Sequence, residues 1–582
     1  MLKPASTKFL AVVLFATFVL AACDKSEDES GSSSAYTAAD SLLNYVPANS
    51  PYVLASLQPL PDDVVDKLEP KLDRMLAAYR TMLREIVVIA DAKAPEENAD
   101  REDLDKVAAV VGELESLLSV DGLREAGLDR HSTAVVYGNG LLPVIRVKLS
   151  DDALFDAALS RIEEKAGEKM PVASISGNPV RYVDADGAKI LVSILDKQLV
   201  IAVAPMSFDD EQLGQLLGFT RPAANLADAG TLQDIARQYQ FEDYFVGYLD
   251  IAAITGTLTG TATGLDAALL AMLPERPPMS DVCQAEIRSL AGIAPRMVTG
   301  YTEVSAARFG SQAVIELRDD IANGLAGLVT VVPGLGGDLG GMMSFGLGVD
   351  VKAMRAFYEA QLDALEKEPY ECEYLADLQA GVAGGRAALQ QPAPPMVYDF
   401  RGFVGVIQDI EGLDLGTQTP PTSVDGQFLL AMDNAPALVA LGAMMSPDIA
   451  GLGLEPDGKP VKFDLPLAQM LGGEMFVAMT DDALAVSVGE GGQAKIPGML
   501  KAESSDNGTF VSFSMDAARY YAFLGEAVAA AEHDDDSPMT PNFQAATQDL
   551  ILAIADIYER MSVDIRFTEN GIVIDSTVTL SD

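Results

Sequence analysis

The chain has 582 residues, 49% of them hydrophobic, with 40 basic against 86 acidic side chains, a net charge of −46 and no tryptophan. That length exceeds what one hydrophobic core usually takes, so two or more domains are expected. The acidic excess leaves no basic face with which to displace counterions from a nucleic acid or to bind anionic lipid headgroups by charge, and no nucleic-acid partner is expected.

At the start of the chain Lys3 and Lys8 precede an apolar run, Phe9 to Leu20, that closes on Leu20-Ala21-Ala22-Cys23. The run is short of the ~20 residues a membrane span needs. A basic n-region, an apolar h-region and small residues are the parts of a secretory signal peptide. With a cysteine directly after the small residues, the segment resembles the lipobox of bacterial lipoproteins. The resemblance implies diacylglycerol on the Cys23 sulfur, removal of a signal peptide spanning residues 1–22, and N-acylation of the new amine. The protein would then face the periplasm from a membrane anchor; two or more acyl chains hold stably where one does not, since each buried methylene contributes about 0.8 kcal/mol. Asp24, next to the lipidated cysteine, is similar to the retention signal of enteric lipoproteins and favours the inner over the outer membrane.

Residues 23–44 form the lipidated cysteine and its tether. The stretch Asp24 to Asp40 is acidic, Ser-rich and almost without large apolar residues, which predicts a disordered segment. Its coil reach is on the order of 20 to 25 Å. Folded sequence is expected from about Tyr45.

Beyond it the chain reads as a tandem duplication, with a first half over residues 45–330 and a second over 331–582. A strand at Tyr52 to Leu57 leads to a long helix with Val65, Leu68, Leu72, Met75, Tyr79, Met82 and Ile86 at three- and four-residue spacing, an apolar stripe on one face. A second helix, with Val107, Val111, Leu114 and Leu118, follows the charged stretch Ala94 to Asp103. Val351 to Glu366 and Tyr374 to Leu389 take the same places in the second half. The strand Val144 to Leu149, Ser150-Asp151 and a helix around Leu154 to Ile162 correspond to Phe428 to Met432, Asp433-Asn434 and a helix around Leu438 to Met445. The hairpin Leu191 to Val203, turning at Asp196-Lys197, corresponds to Phe476 to Val488, turning at Asp481-Asp482. Tyr244 to Asp250 and Thr509 to Asp516 are strands running into helices, and closing strands split at Gly310 and Gly571 end each half. The strand segments alternate with period two, and the Asp or Ser after several of them is a ready helix cap. The order predicts an α+β fold: a duplicated unit with a mainly antiparallel sheet and packed helices. Pro333-Gly334-Leu335-Gly336-Gly337 punctuates the chain between the halves. The combination of lipobox, tether, Val46-Pro47-Ala48 and the strand at Tyr52 resembles a group of large bacterial envelope lipoproteins that has no activity to carry over.

An exported protein meets an oxidising compartment, so Cys283 and Cys372 are the disulfide candidate, with a pair of buried inert thiols as the alternative. Ser487, in Ala485-Val486-Ser487-Val488-Gly489, fits a relaxed nucleophile-elbow pattern with His533 and Asp534 to Asp536 downstream, but it lies inside a hairpin strand and not at a strand-to-helix turn. His131 reads as an ordinary surface or edge residue. Glu532 to Asp536 offers oxygens to Ca²⁺ without a glycine-bearing ligand loop, and reads as a solvated acidic loop. Asp184-Ala185-Asp186-Gly187 reads as a hairpin turn. Gly334 to Gly341 has the glycines of a phosphate loop but no strand-and-helix frame, and reads as a linker.

No catalytic residue, metal site or cofactor is assigned. The expected function is that of a membrane-anchored, non-enzymatic envelope lipoprotein that binds or scaffolds an envelope protein. The alternative is a carrier or sensor of an apolar ligand such as a lipid, with a serine hydrolase at Ser487 as the remote one. For the carrier, the uncharged segments Ile251 to Leu265 and Ile321 to Gly337 are expected to line a cleft between the halves, with the 22 methionines as adaptable surface.

Overall fold

A computed structural model describes residues 41–581, apart from the short segments 98–100, 131, 186, 261, 273–278, 413–420, 465–472, 506–507 and 532–539. Cys23, the signal segment, His131, His533 and Glu532 to Asp536 therefore lie outside the described residues.

The described chain opens with a 3-10 turn, Leu42–Tyr45, capped by Ser41, whose Leu42 and Leu43 are buried in the first core. Strand β1 (Tyr52–Ser56) leads to α1 (Asp62–Glu97), α2 (Arg101–Leu117) and the short α3 (Val120–Glu125). A hairpin β2 (Ala134–Asn139) and β3 (Leu142–Lys148) follows, then α4 (Asp152–Ala166) and four strands, β4 (Val172–Ile175), β5 (Asn178–Ala185), β6 (Ala188–Leu195) and β7 (Gln198–Pro205). Next come α5 (Asp210–Leu216), α6 (Leu226–Ala229), α7 (Thr231–Tyr239), β8 (Val246–Asp250), α8 (Ile251–Thr259), α9 (Gly264–Leu270), α10 (Asp281–Ala291) and the hairpin β9 (Arg296–Val304) and β10 (Arg308–Glu316).

The remaining elements are α11 (Asp319–Ala326), β11 (Met343–Gly348), α12 (Val351–Lys367), α13 (Ala376–Gln390), β12 (Phe400–Glu411), β13 (Ser423–Met432), α14 (Ala435–Met445) and α15 (Pro447–Gly451). They continue through β14 (Val461–Lys462), β15 (Met475–Met479), β16 (Ala483–Val488), α16 (Gly492–Leu500), β17 (Thr509–Asp516), α17 (Ala517–Ala531), α18 (Pro541–Ile557), β18 (Tyr558–Thr568) and β19 (Gly571–Leu580).

This is an α+β fold in which all 19 strands join one sheet. Its antiparallel pairings run in a single order, β4-β5-β6-β7-β3-β2-β1-β8-β9-β10, then across a β10–β19 seam to β19-β18-β17-β11-β12-β13-β16-β15-β14. At the seam nine residues of β10 face nine of β19, from Arg308 opposite Thr579 to Glu316 opposite Gly571.

Local chemistry accounts for the elements. Asp151 accepts from the amides of Ala153 and Leu154 and starts α4, which Gly167 closes in the left-handed region; Asp250 and Asp350 cap α8 and α12 in the same way. Asp196 and Lys197 both have positive φ, as a two-residue hairpin turn between β6 and β7 requires. Asp184 and Ala185 end β5 opposite Lys189 and Ala188 of β6, and Gly187 beside them has positive φ, as a hairpin turn favours. The closing strands of the first half turn between Val304 and Arg308, and Gly310 is not the split that its counterpart suggests. It sits at a bulge within β10, two residues after the strand begins at Arg308, whereas Gly571 opens β19.

The first-half sheet is covered on both faces. On one, Val53, Ala55, Val135, Tyr137 and Val144 pack with Leu213, Leu232 and Ile235 of α5 and α7. On the other, Ala134, Val147, Leu199 and Ile201 pack with Leu76 of α1 and Phe155 of α4. Besides the β10–β19 seam, the halves are locked together at two further places. Helix α1 lies along α18, where the buried Glu85 carboxylate accepts from Thr540 Oγ1 at 2.5 Å and Asn542 Nδ2 at 3.1 Å, and Lys71 Nζ donates to Ser581 O at 2.8 Å. The second is the Cys283–Cys372 disulfide between α10 and the segment leading into α13; beside it Glu286 accepts from the amides of Glu371 and Cys372, each at 2.9 Å.

Candidate functional site

The apolar stripe of α1 does not close completely onto the sheet. Val65, Leu68, Leu72 and Met75 face across a cavity of about 740 Å³ toward Leu54 of β1, Ala134 and Val136 of β2, and Tyr301, Phe309 and Ser311 of β9 and β10. Its far wall comes from the second half: Ile554 and Ile557 of α18, Tyr558 of β18, and Val578 and Leu580 of β19. The volume lies within the ~300–1,000 Å³ typical of small-molecule sites.

Leu54 shows why space remains. It stands between Val136 and Gly247 in the register of β1 with β2 and β8, and a Cβ built on Gly247 would lie 2.6 Å from Leu54 Cδ2. The glycine lets the leucine lie across its neighbour, flat on the cavity floor, and Leu54 keeps 44% of its surface accessible although it is on a central strand. A large apolar side chain that is open to solvent inside the fold marks a space suited to apolar matter.

The polar groups gather at one end, where α3 and the segment after it meet α1. Arg124 is paired with Glu69 and, at 3.0 Å, with Asp121; Arg130 reaches Asp66 at 2.7 Å and Glu69 at 3.5 Å. Arg124, Arg130, Glu69 and Asp129 line the cavity itself. Tyr244, at the rim, and Tyr558, at the α18 end, both have phenols raised above their ordinary range, chiefly by burial. The arrangement offers a long apolar surface, a few hydroxyls and one ion-paired end. It can hold an elongated molecule.

The expected lining was different. Leu265 of the Ile251 to Leu265 segment is buried in the core on the opposite face of the first-half sheet, and Val332 and Leu335 of the Ile321 to Gly337 segment pack into a second-half core with Val404 and Leu429. Leu265, Val332 and Leu335 fill interior space, while Leu258 and Val331 of the same segments are exposed. Of the methionines, Met75 faces the cavity, while Met342 is buried elsewhere and Met444 and Met445 are exposed at the end of α14. Gly334 to Gly341 is a loop.

Ser487 is fully buried within β16, with no hydrogen-bond partner for its Oγ among the described residues, and is pressed against Gly492. A nucleophile needs access and a base, and this serine has neither in reach of the described side chains. Cys283 and Cys372 are joined, as expected. Among the described residues no group of three or more His, Cys, Asp or Glu is placed to hold a metal, and no helix is long and apolar enough to cross a membrane. The reading from sequence missed Glu69, Arg124 and Arg130. Glu69 is one turn from both Val65 and Leu72, so a carboxylate at the border of the apolar stripe was the available signal.

No family model, no curated protein and no solved structure matches the chain.

Proposed function

We propose that this protein is an envelope lipoprotein, anchored through Cys23 and facing the periplasm, that carries or senses an apolar ligand in the cavity between α1, α18 and the sheet. The observation that carries the reading is the accessible, mostly apolar space of about 740 Å³ at the junction of the halves. Burying a ligand there gains about 25 cal/mol for each Å² of apolar surface removed from water. The site reads as one for binding and not for catalysis, because its charged groups are paired with one another. Organic extraction and mass spectrometry of the purified protein, with titration of an environment-sensitive acyl probe, tests it. A copurifying lipid, and loss of probe binding in Leu72→Trp or Met75→Trp, are the expected results; a cavity that takes up no apolar molecule overturns it.

The duplication belongs to the same proposal. Outward from the seam, β10-β9-β8-β1-β2-β3-β7-β6-β5 and β19-β18-β17-β11-β12-β13-β16-β15-β14 follow the same order of chain positions, with β4 as an extra edge strand. Two copies of one unit, joined edge to edge, account for this shared order.

The scaffolding reading has one observation in its favour. From Asn434 to Leu454 the chain carries a single charge, Asp448, and Leu441, Met444 and Met445 are exposed there at 39%, 85% and 80%. If an envelope protein docks on this edge, Met444→Glu with Met445→Glu abolishes its copurification and leaves the acyl probe bound.

A further inference from the structure

The polar end of the cavity says what kind of apolar molecule fits. Two guanidiniums border it, and three carboxylates balance them. Asp66 and Asp121 point outward, with side chains 68% and 88% exposed, where an ion pair contributes little. Glu69 is the inner one: its side chain is 26% exposed, it touches both Arg124 and Arg130, and of the three it alone lines the cavity. Asp129 borders the same end, between the two arginine-bearing segments. From this point the apolar wall runs without a further charge through Leu68, Leu72 and Met75 to Ile554 and Leu580.

Resting on the reading that the cavity holds an apolar ligand, we propose that the ligand is a single-headed anionic amphiphile whose carboxylate or phosphate is taken by Arg124 and Arg130 in place of Glu69. In the unliganded protein Glu69 is the stand-in for that head. Its side chain is long and sits on a helix surface, so it swings toward solvent when a competing anion enters. The exchange replaces one anion by another between the same two guanidiniums, and neither arginine is left unpaired at any stage, which is the costly outcome for a half-buried charge. Guanidinium forks suit both carboxylate and phosphate, and a charge-assisted hydrogen bond is shorter and stronger than a neutral one. The tail then lies along the α1 stripe toward α18.

The test uses the purified full chain and three probes of equal tail length: a fluorescent fatty acid, the matching fatty alcohol and the matching alkyl phosphate. The acid or the phosphate, or both, should bind more tightly than the alcohol, and which of them does so identifies the source of the head. Arg124→Gln with Arg130→Gln should weaken anionic binding by roughly tenfold or more, the scale of a hydrogen bond to a charged group, and leave the alcohol unchanged. Glu69→Gln should tighten anionic binding, since the internal competitor is gone. A merely structural ion pair predicts the opposite sign, and acid binding weakened by Glu69→Gln, or acid and alcohol shifted alike by the arginine variants, overturns the proposal. Should the double arginine variant fail to fold, Glu69→Gln decides alone. If none of the probes binds the unaltered protein, the carrier reading itself falls.

Discussion

Asp564 of β18 and Asp575 of β19 stand directly opposite each other on adjacent antiparallel strands. They are not equivalent. Asp575 is held by Arg566 Nε at 2.5 Å and by Gln312 Nε2 at 2.8 Å across the seam, whereas Asp564 Oδ1 is buried without a hydrogen-bond partner among the described residues. Burial first, and then the Asp575 charge, raise the Asp564 carboxyl above the ordinary carboxylate range, against an opposing hydrogen bond from Ser512 and the Arg566 charge. Like charges facing each other across a ladder destabilise it.

The sign of the pH dependence follows. A raised carboxyl binds more protons folded than unfolded, so its contribution to stability is full below the unfolded pKa and is lost as pH rises through the folded one. Asp564→Asn should stabilise the protein near neutral pH by on the order of 1 kcal/mol, the low end of the cost of an unpaired buried acceptor, and should flatten the decline of stability above the carboxylate range. Urea unfolding at a series of pH values checks both; a variant less stable than the parent at neutral pH would refute them.

Cys283→Ser with Cys372→Ser removes a cross-link that spans 89 positions. The chain-entropy model puts its contribution at about 4.5 kcal/mol. The loss should appear as a lower midpoint of denaturant unfolding, and reductant should reproduce it in the parent protein.

Arg146 is a fully buried guanidinium whose acceptors are neutral: Tyr137 OH at 3.2 Å, Gln198 Oε1 at 3.0 Å and the Leu217 carbonyl, with the Tyr45 ring 4.2 Å away. Arg146→Leu leaves those groups unpaired in the core and should cost about 3 kcal/mol or more. Arg146→Lys should recover only part, because one ammonium does not span the fork. Calorimetry of the two variants ranks them.

Under the proposed anchor, which makes the Cys23 thiol the lipid acceptor, Cys23→Ser should release the protein from membranes or leave the signal uncleaved. Fractionation that finds normal processing and unchanged membrane residence sinks the lipoprotein proposal.

What could be read beforehand follows from how local each cause is. The hairpin turn at Asp196-Lys197 and the caps at Asp151 and Asp250 are set within a few residues, and they are where the reading placed them; β6 and β7 do not alternate in burial, because the sheet there is covered on both faces. The stripe on α1 was also visible, but a stripe shows only that a face is apolar. Whether it meets a core or a cavity depends on Ile554, Ile557 and Leu580, which arrive from the other end of the chain. The β10–β19 seam was hidden for the same reason: register between strands so far apart is decided by packing and not by any local turn. Arg146 lies within β3, and only the tertiary fold shows what its guanidinium meets.

The partnership of α1 with α18 bears on the order of assembly. Helix α1 comes early in the chain, and α18, β18 and β19 come some 450 residues later. Until they arrive, the leucines and Met75 of α1 have an incomplete cover and the seam strand β10 has a bare edge, both hazards for a nascent chain. Long-range closure of this kind is slow. The cavity between α1 and α18 therefore forms late, and a chain truncated before Pro541 would present an open apolar groove where the full sequence has a walled cavity.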